Sequence, residues 1–118
     1  MAERNVPMNP SEVADRYFEA IRARDIESLL ALYADDATVT LPNGSLIEGT
    51  VAIRAFQTDV FNRGAPIPTP GSHVFGPQAA AVEIKARLPD GSLRSTANFF
   101  YLNGENRIER LCIYAQGT

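Results

Sequence analysis

Two side chains in this sequence carry groups that could act on a small molecule, namely Tyr17 and His73. Tyr17 can donate a hydrogen bond through its phenol to a ligand oxygen. His73 is the single histidine, and an imidazole can transfer protons near neutral pH. Each residue also has a purely structural interpretation. Tyr17 fits an apolar helical stripe with Val13 and Ile21, and His73 follows a proline-rich segment as a partly exposed residue would.

The segment from Asn9 to Pro42 contains the elements that must position Tyr17. Its periodicity predicts two short amphipathic helices that are separated at Arg24-Asp25. Asn9 is expected to cap the first helix, and the second is expected to bury Tyr33 in its stripe. An alternating strand that ends at Leu41 follows. Tyr17 and this strand should face the same interior, where a small-molecule pocket would form.

The rest of the chain predicts one more helix and then a series of strands. The helix follows Gly49-Thr50, residues 1–8 form a lead-in, and residues 65–71 form a proline-rich loop. Long strands are expected at residues 78–88, 92–102 and 107–116. Helices that come first and strands that come later favour an α+β fold. We predict a curved, cone-shaped antiparallel sheet packed against three helices, within one domain that spans residues 1–118.

Composition excludes several classes of function. The formal net charge is −3 and no basic run is present, so no nucleic-acid partner is expected. One cysteine, Cys112, excludes an intrachain disulfide and has no local partner to activate it as a nucleophile. A lone histidine without a Cys/His cluster predicts no metal and no cofactor. No apolar run or leader is evident, so we expect no membrane partner and a cytoplasmic location.

Strand alternation assigns side chains to an inner and an outer face of the sheet. The outer face is expected to expose Phe99, Tyr101 and Tyr114, and an exposed aromatic patch of this kind predicts a homodimer. The inner face and the third helix are expected to enclose a small apolar ligand. The residues expected to bind it are Leu41, Phe56, Val82, Ile84, Phe100, Leu111 and Ile113.

Three segments of the sequence resemble the ketosteroid isomerase-like and SnoaL-like polyketide cyclase superfamily. They are Y-F-E-A-I-R-A-R-D-I-E-S-L-L-A-L-Y-A-D-D-A-T-V, G-T-V-A-I-R-A-F and N-F-F-Y-L-N-G-E-N-R-I-E-R-L-C-I-Y. The resemblance covers nearly the whole chain and implies the conical nuclear transport factor two-like fold. Because one fold hosts many reactions, the resemblance is specific for the fold and weak for the activity.

The resemblance implies roles for three residues. Tyr17 falls where ketosteroid isomerases place the tyrosine that donates a hydrogen bond to the developing enolate. Asn98 falls where they place a protonated aspartic acid, and its amide would be a neutral donor there. Leu41 replaces the aspartate base, and leucine cannot accept a proton. Tyr17, Asn98 and His73 are therefore the candidate catalytic residues.

Three functions remain open from the sequence. The first is a steroid, polyketide or terpenoid binder that catalyses isomerisation or another proton transfer without the usual base. The second is a non-catalytic module that binds a small molecule or dimerises. The third is a polyketide cyclase or dehydratase that uses His73, since several relatives of this kind place a histidine on the middle of the sheet.

Overall fold

The computed structural model describes residues 9–64 and 66–116. The predicted lead-in at residues 1–8, and Ala65 of the predicted proline-rich loop, lie outside the described residues. Within the described part the chain forms three helices and six strands: α1 (Pro10–Ala23), α2 (Ile26–Leu30), β1 (Tyr33–Thr40), β2 (Leu46–Glu48), α3 (Thr50–Asn62), β3 (Ile67–Phe75), β4 (Ala79–Arg87), β5 (Leu93–Leu102) and β6 (Ile108–Ala115).

Helix α1 begins at a capping box, as the sequence predicts. The Asn9 side chain accepts a hydrogen bond from the Glu12 backbone N–H at 2.8 Å, and the Glu12 carboxylate accepts one from the Asn9 N–H at 3.0 Å. The helix ends at Arg24, which adopts a left-handed conformation with φ of 55°. Tyr17 and Phe18 are buried on the inner side of this helix. The cap therefore fixes where α1 starts, and the helical period places Tyr17 on the buried face.

The second helix is shorter than its periodicity predicts. Asp25 caps it as expected, but α2 ends at Leu30 and Tyr33 opens β1. Tyr33 is paired with Ile108 of β6, and the Ile108 N–H donates to the Leu32 carbonyl at 2.8 Å. The prediction that Tyr33 belongs to the helix is wrong, because pairing with β6 satisfies the backbone here in place of helical hydrogen bonds.

The strands form one curved, open sheet in the order β2-β1-β6-β5-β4-β3. All neighbours pair antiparallel except β1 and β6, which run parallel. The α+β prediction is confirmed, and the sheet is mixed at this single pair. Helices α1 and α3 lie against one face, and the buried core fills the space between them and the sheet.

Strand β3 runs through the segment predicted as a proline-rich loop. Pro68 and Pro70 both lie within it, opposite Ala86 and Ile84 of β4. Proline removes a backbone donor, but β3 is an edge strand that pairs only with β4, so the lost donor breaks no second ladder. A register shift between Pro70 and His73 locally bends this edge. The loop prediction is wrong for residues 67–71.

Helix α3 makes two exposed polar contacts with the other helical segments. Arg54 forms an ion pair with Glu27 of α2 at 2.6 Å, and Arg24 donates to the Phe61 carbonyl at 2.8 Å. The helix packs Ile53 and Gln57 inward. The buried Ile53 side chain packs this helix against the part of the sheet formed by β1 and β2, and a gap remains between α3 and strands β4 and β5. Across the described residues, no helix is both long enough and apolar enough to cross a membrane.

Candidate functional site

A cavity of about 180 Å³ lies between the helices and the inner face of the sheet. Ligand sites are typically concave and mostly apolar, with a few placed polar groups, and this cavity fits that description. Four larger depressions, of about 400, 480, 520 and 710 Å³, lie elsewhere on the described part of the molecule, and each has at least one charged side chain in its wall. The inner cavity is lined by Tyr17, Phe18, Ile21, Phe56, Gln57, Val60, Pro66, Pro68, Ile84, Ala86, Thr96, Asn98 and Ile113.

Tyr17 reaches this cavity from α1 and is surrounded by aromatic rings. Its ring centroid is 5.2 Å from that of Phe18 and 5.1 Å from that of Phe100, and both pairs are edge-to-face. Burial raises the pKa of Tyr17 to about 12, and a side-chain hydrogen bond with Tyr33 offsets part of that rise. Burial and the same Tyr17 partner raise the pKa of Tyr33. Tyr17 is therefore a neutral phenol at neutral pH, able to donate a hydrogen bond.

The raised pKa of Tyr17 predicts a loss of stability at high pH. Because the folded-state pKa exceeds the ordinary value of 10.0, the contribution is complete below pH 10 and is lost as the pH rises toward 12. We expect the free energy of unfolding to fall by about 1.4 kcal/mol per pH unit in this window from Tyr17 alone. Urea unfolding at several pH values measures the slope. In the Tyr17→Phe variant, the free energy of unfolding should fall less steeply with pH. An equal slope in the two proteins would show that Tyr17 does not have a raised pKa.

Asn98 reaches the cavity from β5, together with a residue that the sequence analysis did not select. Asn98 is 5% exposed and Gln57 of α3 is 7% exposed, yet both line the cavity. Gln57 lies at helical spacing from Ile53 and Val60. A polar residue within that apolar stripe was the sequence signal for it, because a buried carboxamide needs a hydrogen-bond partner.

The structure brings together five of the residues selected from the sequence and separates the other five. Tyr17, Asn98, Phe56, Ile84 and Ile113 line the cavity. Val82, Phe100 and Leu111 pack in the closed core, where neighbouring side chains fill the space around them. Leu41 follows β1, in a turn where the Gly44 N–H donates to its carbonyl at 2.8 Å, and its side chain packs against the core.

His73 does not line the cavity. It lies on β3, next to the register shift, and its side chain is partly exposed. Its Nε2 atom is 3.8 Å from the Asp15 Oδ1 atom on α1. The shift in β3 changes which way this end of the edge strand faces, which sequence alternation could not anticipate.

The lining of the cavity carries no charged side chain among the described residues. Its polar members are Tyr17, Gln57, Thr96 and Asn98, and only Tyr17 titrates. No group of three or more His, Cys, Asp or Glu residues suited to a metal ion occurs in the described ranges. The site can therefore donate and accept hydrogen bonds, but its lining lacks a side chain that accepts a proton at neutral pH.

Comparison with known proteins assigns the family. The model of the SnoaL-like domain family matches residues 14–100, which is most of the chain. The chain belongs to this family. The resemblance identified in the sequence is thereby confirmed.

Solved structures share the fold of this SnoaL-like domain. A candidate polyketide cyclase from Sinorhizobium meliloti is 27% identical with a TM-score of 0.76, and the match covers 86% of this chain and 93% of that one. A candidate ketosteroid isomerase from Kribbella flavida is 21% identical with a TM-score of 0.82, over 91% and 77% of the two chains. A nuclear transport factor two-like protein of unknown function from Mesorhizobium loti is 15% identical with a TM-score of 0.82, over 92% and 91%.

Proposed function

We propose that this SnoaL-like domain binds a small, largely apolar molecule and that Tyr17 and Asn98 hold an oxygen atom of this ligand. The observation that carries the proposal is the presence of buried polar side chains in an otherwise apolar cavity. Tyr17 and Asn98 would orient a ligand oxygen by hydrogen bonds, while the apolar walls of the cavity bury the rest of the ligand.

The volume of the cavity favours a ligand about the size of one ring. An apolar cavity of about 150 Å³ accommodates benzene in another protein, and the cavity here measures about 180 Å³. A steroid, a polyketide or a terpenoid of several rings would leave most of its surface at the mouth. A single-ring phenol, enone or terpenoid fits within the walls.

A binding role accounts for the site better than proton transfer does. Tyr17 and Asn98 can polarise a carbonyl oxygen, and such donors lower a barrier without a base. Proton abstraction needs a base within about 3 Å of the proton, or one water away, and no lining side chain supplies one. A cyclase or dehydratase reaction through His73 would need this residue to reach the cavity from β3. We therefore place binding first and slow, base-free catalysis second.

Binding of p-cresol, a single-ring phenol, tests the proposal. We expect the Tyr17→Phe variant to bind p-cresol about 1–2 kcal/mol more weakly, because one buried hydrogen bond is lost. Isothermal calorimetry on both proteins gives the difference. Tyr101→Phe makes the same substitution on the outer face of the sheet and should leave the affinity unchanged. Equal affinity in the parent and Tyr17→Phe would place Tyr17 in the core and outside the binding site.

We also propose that the outer face of the sheet pairs two copies of the chain. Tyr114 is 58% exposed, and its ring is 5.5 Å from that of Phe99. Glu83 and Lys85 lie two residues apart on the exposed face of β4. A two-fold axis that passes between Glu83 and Lys85 would set each of these charges against its opposite on a second copy, and the apolar surface around Tyr114 would be buried beside them.

The substitution Tyr114→Glu tests this assembly. A charge at the centre of a buried face is costly to desolvate, so we expect the variant to sediment as a monomer at micromolar concentration while the parent sediments as a dimer. Val51→Glu on α3 is the matched control, because Val51 is also an exposed apolar residue but lies away from the sheet. Sedimentation of the parent as a monomer would contradict the proposal.

A further inference from the structure

The polar groups of the cavity come from opposite walls. Asn98 and Thr96 belong to β5 on the sheet side of the cavity, whereas Tyr17 of α1 and Gln57 of α3 belong to two different helices on the other side. Each carboxamide presents one acceptor oxygen and two donor hydrogens, and the neutral Tyr17 phenol, which is hydrogen-bonded to Tyr33, has one hydrogen to donate. A ligand oxygen held by Tyr17 and Asn98 therefore leaves the Gln57 amide free to meet a second group of the ligand.

The absence of charge in the lining limits which ligands can enter. Among the described residues that form the walls, none is Asp, Glu, Lys, Arg or His. An ion that enters such a cavity loses its hydration and finds no counter-charge, so binding of the ion is strongly opposed. A neutral molecule with the same shape escapes this cost.

We propose that Gln57 is the specificity-determining residue of the cavity and that it selects neutral single-ring ligands with a hydrogen-bond donor beside the carbonyl. Primary amides and uncharged carboxylic acids belong to this class. Their carbonyl oxygen accepts from Tyr17 and Asn98, and their N–H or O–H donates to the Gln57 carbonyl oxygen. The inference rests on the proposed binding function and goes beyond it in naming the ligand class and the residue that selects it.

Three ligands of nearly equal shape separate these effects. Benzamide has the carbonyl and the donor, acetophenone has a methyl group in place of the donor, and benzoate is an anion at pH 7. For the parent protein we expect benzamide to bind about 3- to 10-fold more tightly than acetophenone, since one further hydrogen bond forms. We expect benzoate to bind at least about 10-fold more weakly than benzamide.

The Gln57→Met variant then tests the residue itself. Methionine keeps the length and the helix propensity of glutamine but removes the carboxamide. We expect benzamide and acetophenone to bind this variant with equal affinity, while acetophenone binding stays within about 2-fold of the parent. Thr58→Ala, at an exposed position next along α3, should preserve the parent's preference.

The possible outcomes separate this inference from the proposed function. If acetophenone binds but benzamide binds no tighter, the selection by Gln57 is wrong and the binding function stands. If benzoate binds as well as benzamide, the preference for neutral ligands is wrong and the binding function again stands. An unchanged preference in Gln57→Met also overturns the inference. If none of the three ligands binds, the proposed function and the inference fail together. If Gln57→Met does not fold, the benzamide–acetophenone comparison in the parent decides, and the lack of a preference for benzamide overturns the inference.

Discussion

We expect this protein to isomerise a Δ5-3-ketosteroid about 10²- to 10⁴-fold more slowly than an efficient ketosteroid isomerase assayed beside it. This is about the loss of rate that removing a general base causes. The cavity lining offers no carboxylate and no imidazole in the described residues. Its one titratable group, the Tyr17 phenol, has a pKa of about 12 and stays protonated at the assay pH. The small volume of the cavity should also weaken steroid binding.

Two variants, Leu41→Asp and Tyr17→Phe, test whether any base reaches the substrate. Leu41→Asp restores the residue type that ketosteroid isomerases use as the base, but Leu41 packs against the core and does not line the cavity, so we expect no gain in rate. Tyr17→Phe should lower any residual rate further, because it removes a donor to the enolate oxygen. A parent rate within tenfold of the reference enzyme, or a large gain in Leu41→Asp, would mean that a base reaches the substrate.

Replacing Phe100 with alanine should have the largest effect on stability. Phe100 is 0% exposed, and its ring packs edge-to-face against Tyr17 at 5.1 Å and Phe18 at 6.0 Å. We expect a loss of about 3–5 kcal/mol in the free energy of unfolding, from the lost burial and the hole that remains. This is a large share of the roughly 5–15 kcal/mol that stabilises a typical domain.

Urea unfolding of purified variants gives this number through the midpoint and the slope. Phe75→Ala is the matched control, because it removes the same phenyl ring from a residue that is 62% exposed on β3. It should change stability by less than about 0.5 kcal/mol. A loss of less than about 1 kcal/mol in the free energy of unfolding of Phe100→Ala would show that the packing of Phe100 with Tyr17 and Phe18 is not central to the core.

Local chemistry made most of the elements predictable from the sequence. Asn9, Pro10 and Glu12 form a complete N-terminal signal, and the structure places the start of α1 there. In β4 the alternation of Val82 and Ile84 with exposed neighbours follows the period of a half-buried strand. Signals of this kind depend only on residues that are close in sequence, so no partner strand had to be known.

The elements that sequence could not predict depend on distant partners. The spacing of Leu29, Leu30 and Tyr33 is helical, but pairing between β1 and β6 draws Tyr33 into a strand. Pro68 and Pro70 indicate a loop unless the strand that holds them lies at the edge of the sheet. In both cases a contact across the fold overrides the local preference.

The site was predictable only in part for the same reason. Alternation assigned Val82, Phe100 and Leu111 to the inner face, and the structure places them there. It could not show that the closed core covers this part of the sheet, while the cavity opens nearer Ile84 and Ile113. Gln57 stands out in the sequence only as a polar residue within an apolar stripe, and its place in the cavity wall depends on the position of α3 across from β5.

Methyl NMR during a titration with acetophenone tests the central claim most directly. In protein labelled at the isoleucine δ1 methyl groups, Ile21, Ile84 and Ile113 line the cavity, while Ile26 on α2 and Ile47 on β2 do not and serve as internal controls. We predict saturable shifts of the first three signals and unchanged positions for the two controls. Shifts at Ile26 or Ile47 without changes at Ile84 and Ile113, or no saturable shift at all, would contradict binding in this cavity.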